Sequence, residues 1–504
     1  MTGTIRYGDW TPDRHGWFLG LSAGQWATVL AGGLPALVGA GSHRWLFALA
    51  WLPVWVVLSL LAVMPVRGRP AARWLVDAIL HAIGAVTGWA NFQSKVATGH
   101  ADDLAEADLP GVLAGIRVHD GPPTGPHLRR PAIVQDCANR TWAVVARISH
   151  PGIGLTEPGE RARMAAGLSE LLEAVAAAEL VSTAALQVRA VPDDGAERAA
   201  WQRRNLRADA PDVALSVTTD LADLVARTGV RHEVFLTLVV PEQRLGRQAS
   251  DAGSGVDGRA RVLYGAMAEV EAHLLGPVGC GAVEWLDSPR LAAAIRTGFA
   301  PGERASLIGA EPDGRDDAAS ALPIAAAGPS SAPAPERRCY VHDAWATVTC
   351  AVLLPDQGAI MGALAPVFTP TQTNERRSVT VFYEPMPRRR ADRLVGRDSM
   401  SAGTAAEMRA RLGFRSRAAH RRDAARVEGQ DVRLAEGRAL VRVAVVAAVT
   451  VPSFWSVLDH GRRLESSIRA SGFTPLRLDL AQDSGFAAAC VPLGVALPRQ
   501  RRRG

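Results

Sequence analysis

The chain has 504 residues, 48% of them hydrophobic and 21% charged, with a formal net charge of +6, which leaves room for two or three domains. A mean hydropathy of +0.05 is high for a purely soluble protein and directs attention to membrane segments. The only lysine, Lys95, stands in the string QSKVA, and that excludes a Walker-type nucleotide site, which needs GxxxxGK[ST].

Residues 1–22 form an N-terminal segment with Arg6 and Arg14 beside Asp9 and Asp13. Gly24 to Gly41 carries no charge, and after the break SHRW neither does Leu46 to Val66. Each run approaches the roughly 20 apolar residues of a spanning helix, so residues 23–66 predict a transmembrane helical hairpin with both ends on one side. Arg67, Arg69 and Arg73 follow it, while its tip has only His43 and Arg44. The positive-inside rule then places both termini in the cytoplasm and the chain in the inner (plasma) membrane, multi-pass. Ala48-Leu49-Ala50 resembles a signal-peptide cleavage site but lies too deep in the chain. Gly32, Ala36 and Ala40 recur at four-residue spacing, a packing face for the second helix or a partner. Small residues scattered through an Ala-rich protein are the plainer reading.

Residues 67–98 predict a juxtamembrane amphipathic helix, with Asp77, His81, Gly84 and Gly88 on one face and Leu75, Ile79 and Ile83 opposite. A core helix of the next domain is the competing reading. From 105 to 300 strand-like runs at 132–135, 141–148, 184–191, 233–240 and 281–286 alternate with helical stretches near 159–179, 212–228, 258–275 and 288–298. Residues 301–337 are rich in Ala, Pro, Ser and Asp and predict a linker. A second unit, 338–496, has strands expected at 344–354, 378–384, 438–451 and 475–480 and a helix from about 453 to 471. The fold class expected is a membrane-anchored α/β protein, the hairpin followed by two cytoplasmic α/β units. Periodicity does not give their strand order.

Within 387–433 there are 13 Arg against six Asp plus Glu, so this stretch accounts for the basic character of the chain. It reads as an Arg-rich helical arm, with Arg388, Arg389, Arg390, Arg421 and Arg422 as candidate partner-docking residues. Phe414 is the one Phe, Tyr or Trp in the stretch, fewer than a single-strand binder would interleave, which favours a docking surface and leaves direct nucleic-acid binding open. A solvated helix face is the bland reading. Residues 497–504 form a basic tail.

Catalytic signals are absent from the sequence. Gly20-Leu21-Ser22-Ala23-Gly24 has the GxSxG spacing but abuts a membrane run instead of following a strand. The 12 His show no zinc spacing, and the five Cys form no CxxC pair. The cysteines read as reduced, buried, inert thiols. No catalytic residue, cofactor or metal is expected.

Taken in order, RYGDW at 6–10, the hairpin, WLVDA at 74–78, DLPGVLAGI at 108–116, TWAVVARI at 141–148, AVPDDG at 190–195 and DLAQDSGFAAACVPLG at 479–494 resemble actinobacterial membrane proteins of conjugation-like gene clusters, related to PrgI-type and type IV secretion proteins. The resemblance implies a small inner-membrane subunit fused to the non-catalytic N-terminal half of a secretion ATPase. The function it implies is a non-enzymatic scaffold that contacts membrane lipid and recruits a separate P-loop ATPase and other secretion subunits, with a homo-oligomer also open. Two other readings stand beside it: an accessory subunit resembling the type VII protein EccE, and a membrane-tethered enzyme of unknown chemistry.

Overall fold

The computed structural model describes residues 6–7, 23–66, 69–88, 90–154, 156–207, 209–310, 322–355, 358–372, 374–396 and 418–497. Most of the N-terminal segment, residues 397–417 of the Arg-rich stretch and nearly all of the basic tail lie outside the described residues. The chain divides into a small unit, Trp10–Ala90, and a large one, Met1–Asp9 with Asn91–Gly504.

Among the described residues the small unit has three helices, α1 (Ala23–Gly41), α2 (Trp45–Val63) and α3 (Ala71–Thr87). Helices α1 and α2 pack along a face of small residues, and polar hydrogens close the contact. Trp51 Nε1 donates to the Gly32 carbonyl at 2.9 Å, Trp55 Nε1 to the Val29 carbonyl at 2.8 Å, and Gln25 Nε2 to the Ala62 carbonyl at 2.7 Å. Among the described residues, α2 is the one helix long and apolar enough to cross a membrane, with a mean hydropathy of 2.4. Helix α1 matches its length, but Gly and Ala stand where α2 has Leu and Val. Leu75, Ile79 and Ile83 of α3 are exposed.

One eleven-stranded sheet organises the large unit. Its strands are β1 (Ile116–Asp120), β2 (Ala132–Asp136), β3 (Thr141–Ser149), β4 (Thr183–Pro192), β5 (Val230–Pro241), β6 (Ala282–Trp285), β7 (Tyr340–His342), β8 (Trp345–Leu353), β9 (Arg376–Pro385), β10 (Val441–Pro452) and β11 (Thr474–Arg477). The order across the sheet is β7-β8-β10-β9-β4-β5-β3-β2-β1, with β6 pairing β3 and β11 pairing β8. All these pairings are antiparallel. Strands from 105–300 and from 338–496 therefore share one sheet.

Apart from β1, which extends the first half at its edge and has no counterpart in the second, the two halves have the same topology. Counting outward from the centre, β4, β5, β3 and β2 are the third, fourth, second and first strands of one half, and β9, β10, β8 and β7 hold the same places in the other. The fifth strand of each half, β6 or β11, pairs with the second. Both fourth strands have 12 residues, begin Val-Arg and end Val-Pro. Both fifth strands lead into a buried Leu followed by Asp, at Leu286-Asp287 and Leu478-Asp479. The halves meet at β4 and β9, where Gln187 lies opposite Thr380 at the middle of the paired segment.

Alternation along the strands sends successive side chains to opposite faces. One face is covered by α4 (Pro158–Ala178) and α8 (Gly255–Leu275), through Leu171, Val175, Leu263 and Met267, and in the second half by α13 (Val457–Ala470), through Leu464 and Ile468. The other face receives α9 (Ser288–Phe299) and α14 (Gln482–Cys490), where Phe299 and Phe486 meet with ring centroids 4.8 Å apart. The carboxylate of Asp287 caps α9 by accepting from the Arg290 amide at 3.0 Å, as the Asp-Ser-Pro start dictates.

Described residues of 301–337 differ from a linker. Ile324, Ala325, Ala327 and Ala332 are buried, and Ser331–Ala332 pairs antiparallel with Phe92–Gln93. Small residues without periodicity pack here because close backbone approach replaces side-chain interdigitation. Gly328 shows this, since an added Cβ would lie 2.3 Å from the Asp108 carbonyl oxygen.

Candidate functional site

Two polar constructions dominate the large unit: a seam at the junction of the halves and a charged lattice at the end of β4. In the seam, Gln187 Nε2 and Thr380 Oγ1 donate to the same acceptor, the Ala489 carbonyl, at 2.7 and 3.2 Å. Arg189 donates to the carbonyls of Ala294 and Cys490, and Thr237 Oγ1 to that of Pro492. The Ala489 and Cys490 carbonyls end α14 and that of Pro492 lies just beyond it, where carbonyls lack partners within the helix. The sheet thus caps α14, and Arg189 ties it to Ala294 inside α9. Gly298 of α9 permits the approach, because an added Cβ would come within 2.6 Å of the Cys490 carbonyl oxygen.

The lattice begins at the turn Pro192-Asp193-Asp194-Gly195, where β4 gives way to α5 (Ala196–Asn205). Arg304, at the start of α10 (Arg304–Ala310), spreads its fork over three carboxylates. The contacts run to Glu233 Oε1 at 2.8 Å, Asp194 Oδ1 at 2.8 Å and Glu197 Oε1 at 2.7 Å. Arg231 also pairs with Glu197, and Arg189 approaches Glu233 at 3.9 Å. Burial alone would lower the Arg304 pKa, but Glu233, Asp194 and Glu197 outweigh it and raise the value. Arg376, the first residue of β9, is pushed down to about 10 by burial, with Asp194 and Glu233 opposing and Arg304 reinforcing the shift. Its guanidinium lies 5.9 Å from the Trp345 ring centroid.

Other buried charges are also spent internally. Glu375 accepts from Arg377 Nε at 2.6 Å and lies 3.1 Å from His460 Nδ1. Arg296 pairs with Glu303 and Asp343. His342, fully buried among Phe299, Tyr340 and Phe486, is held down to about 3 by desolvation. Chemically these are ion pairs and a neutral imidazole, arrangements that position elements of the fold. Among the described residues no group of three or more His, Cys, Asp or Glu is placed to hold a metal ion.

Four of the five cysteines are buried, and burial raises the thiols of Cys339 and Cys350 to about 12 and that of Cys490 to about 11. Cys137 departs from the expectation of buried thiols: it is exposed, because it sits in the tight turn between β2 and β3.

The sequence-derived candidates fall in two places. Gly32 and Ala36 lie on the α1–α2 contact, where a Cβ on Gly32 would meet Trp55 Cδ1 at 3.2 Å, and Ala40 is half-buried near its end. The stripe also includes the buried Gly33 and Gly39. Arg388, Arg389 and Arg390 are exposed on α11, residues 388–396. Arg421 and Arg422 belong to α12 (Ala418–Ala435), and their side chains lie outside the described residues. Sequence reading missed the lattice because its carboxylates and Arg304 are dispersed over more than a hundred positions. The one local signal is the acidic turn PDDGAER ahead of a helix.

No protein-family model matches this chain. No curated protein matches it.

Proposed function

We propose that the chain is a membrane-anchored, non-enzymatic scaffold subunit of a type IV secretion or conjugation-like apparatus that organises a separate P-loop ATPase. The observation that carries the reading is the α1–α2 pair. The indole hydrogens of Trp51 and Trp55 and the amide of Gln25 are spent on carbonyls inside the pair, while Leu46, Leu49, Val57 and Leu60 face outward. That is the division of polar and apolar groups a bilayer requires. In this reading both helices span the membrane and both chain ends are cytoplasmic. The buried charges of the large unit support it, since they are committed to ion pairs that brace the sheet.

The test is a gentle detergent pull-down of the tagged chain from native membranes, with mass spectrometry of the co-purified chains. A near-stoichiometric polypeptide carrying GxxxxGK[ST] from a conjugation-like apparatus supports the scaffold role. Subunits of a type VII-like machine would transfer the chain to that system, and ATP hydrolysis by the purified chain alone would overturn the non-enzymatic assignment.

A further inference from the structure

Each half of the sheet carries a long insertion between its third and fourth strands, residues 193–229 after β4 and 386–440 after β9. Because β4 and β9 are antiparallel neighbours, the insertions leave the sheet at opposite ends. Strands of ten residues at roughly 3.3 Å per residue separate those ends by about 30 Å.

The insertions have complementary surfaces. In the first, α6 (Asp212–Thr228) presents Val213 at 74% exposure, Val217 at 59% and Leu221 at 56%. Four-residue spacing aligns these three as one apolar stripe. Exposed Asp212 and Asp220 lie along its border, and Trp201 of the preceding α5 is 63% exposed. In the second insertion, α11 presents the exposed Arg388, Arg389, Arg390 and Arg393. An acidic border disfavours an anionic lipid surface and favours a cationic protein helix.

We propose that copies of this chain associate head to tail, α6 of one copy seating against α11 of the next. The occupant is a second copy because the chain itself supplies the complementary charge, at the far end of its own sheet where it cannot fold back onto α6. Such a contact is heterologous, so it builds a ring if the rotation closes and an open filament if it does not. The proposal does not depend on the secretion reading.

Sedimentation velocity of the full chain in detergent micelles tests it, over a range of concentrations at low and high salt. Oligomers at low salt that dissociate as salt rises are expected. The pair Asp212→Arg with Asp220→Arg, and separately the triple Arg388→Glu, Arg389→Glu, Arg390→Glu, should each weaken association by about tenfold or more. Combining all five changes should restore it. A chain that stays monomeric at every concentration would overturn the proposal, and so would oligomers indifferent to both sets or a combined variant as weak as its parents. Circular dichroism of each variant confirms that these exposed changes leave the fold intact.

Discussion

Gln187 and Thr380 stand opposite each other on the two central strands and donate to one carbonyl, that of Ala489. One acceptor on α14 is thereby held from both halves of the sheet. Replacing Gln187 with Leu removes the shorter bond in a buried setting and should cost about 1–3 kcal/mol, while Thr380→Val should cost about 1 kcal/mol. The double variant should depart from additivity, since both side chains serve the same oxygen. Thermal unfolding of the three variants in one detergent checks this.

Arg304 is 7% exposed and holds Glu233, Asp194 and Glu197 apart from one another. Arg304→Met leaves three carboxylates facing each other in a half-buried site and should destabilise by about 3–5 kcal/mol. Arg304→Lys restores the charge without the fork and should recover only part of the loss. Unfolding midpoints of the two variants, ranked against the parent, decide it.

His342 makes stability depend on acid. Its folded pKa, about 3, is below the ordinary 6.5, so the unfolded chain binds the extra proton between these values. The contribution is complete above pH 6.5 and is lost as pH falls toward 3, by about 2 kcal/mol near pH 5. His342→Phe should flatten that part of the stability profile even though it gives up the bond to Thr347 Oγ1 at 2.9 Å. Parallel slopes for parent and variant would contradict the assignment.

A Cβ at Gly39 would lie 2.9 Å from Phe47 Cδ1, and one at Gly33 would lie 3.2 Å from Trp55 Nε1. Gly39→Val or Gly33→Val should force α1 from α2 and release the indole bonds. Faster tryptic cleavage at Arg44, in the turn between the helices, is the expected readout.

Of the five cysteines only Cys137 is exposed. A thiol reagent should titrate one group per native chain and all five after denaturation, with Cys137→Ser abolishing the native reaction. Labelling followed by peptide mapping checks both counts.

Local pattern carried much of the large unit. The runs at 141–148, 184–191 and 233–240 became β3, β4 and β5 almost residue for residue, because short, mostly apolar runs rich in β-branched residues mark strands covered on both faces. Strand pairing was hidden because any such strand can lie beside any other, and the β4–β9 junction joins residues nearly two hundred positions apart. The shared topology of the halves escaped notice too, since matching positions such as Gln187 and Thr380, or Arg189 and Phe382, keep their place in the sheet and little of their chemistry. Arg304 stood inside a stretch whose composition read as linker, and its three partners lie on β5, on α5 and in the turn before α5.

The junction at β4 and β9 has a consequence for synthesis. The first half leaves the ribosome with Thr183–Pro192 as an unpaired edge, and its partner, Arg376–Pro385, is translated much later. Until then the nascent chain offers an open strand of alternating apolar residues, the kind of surface that recruits wrong partners. Slowing translation between the two strands should therefore lower the yield of folded chain, and a chaperone that shields strand edges should restore it.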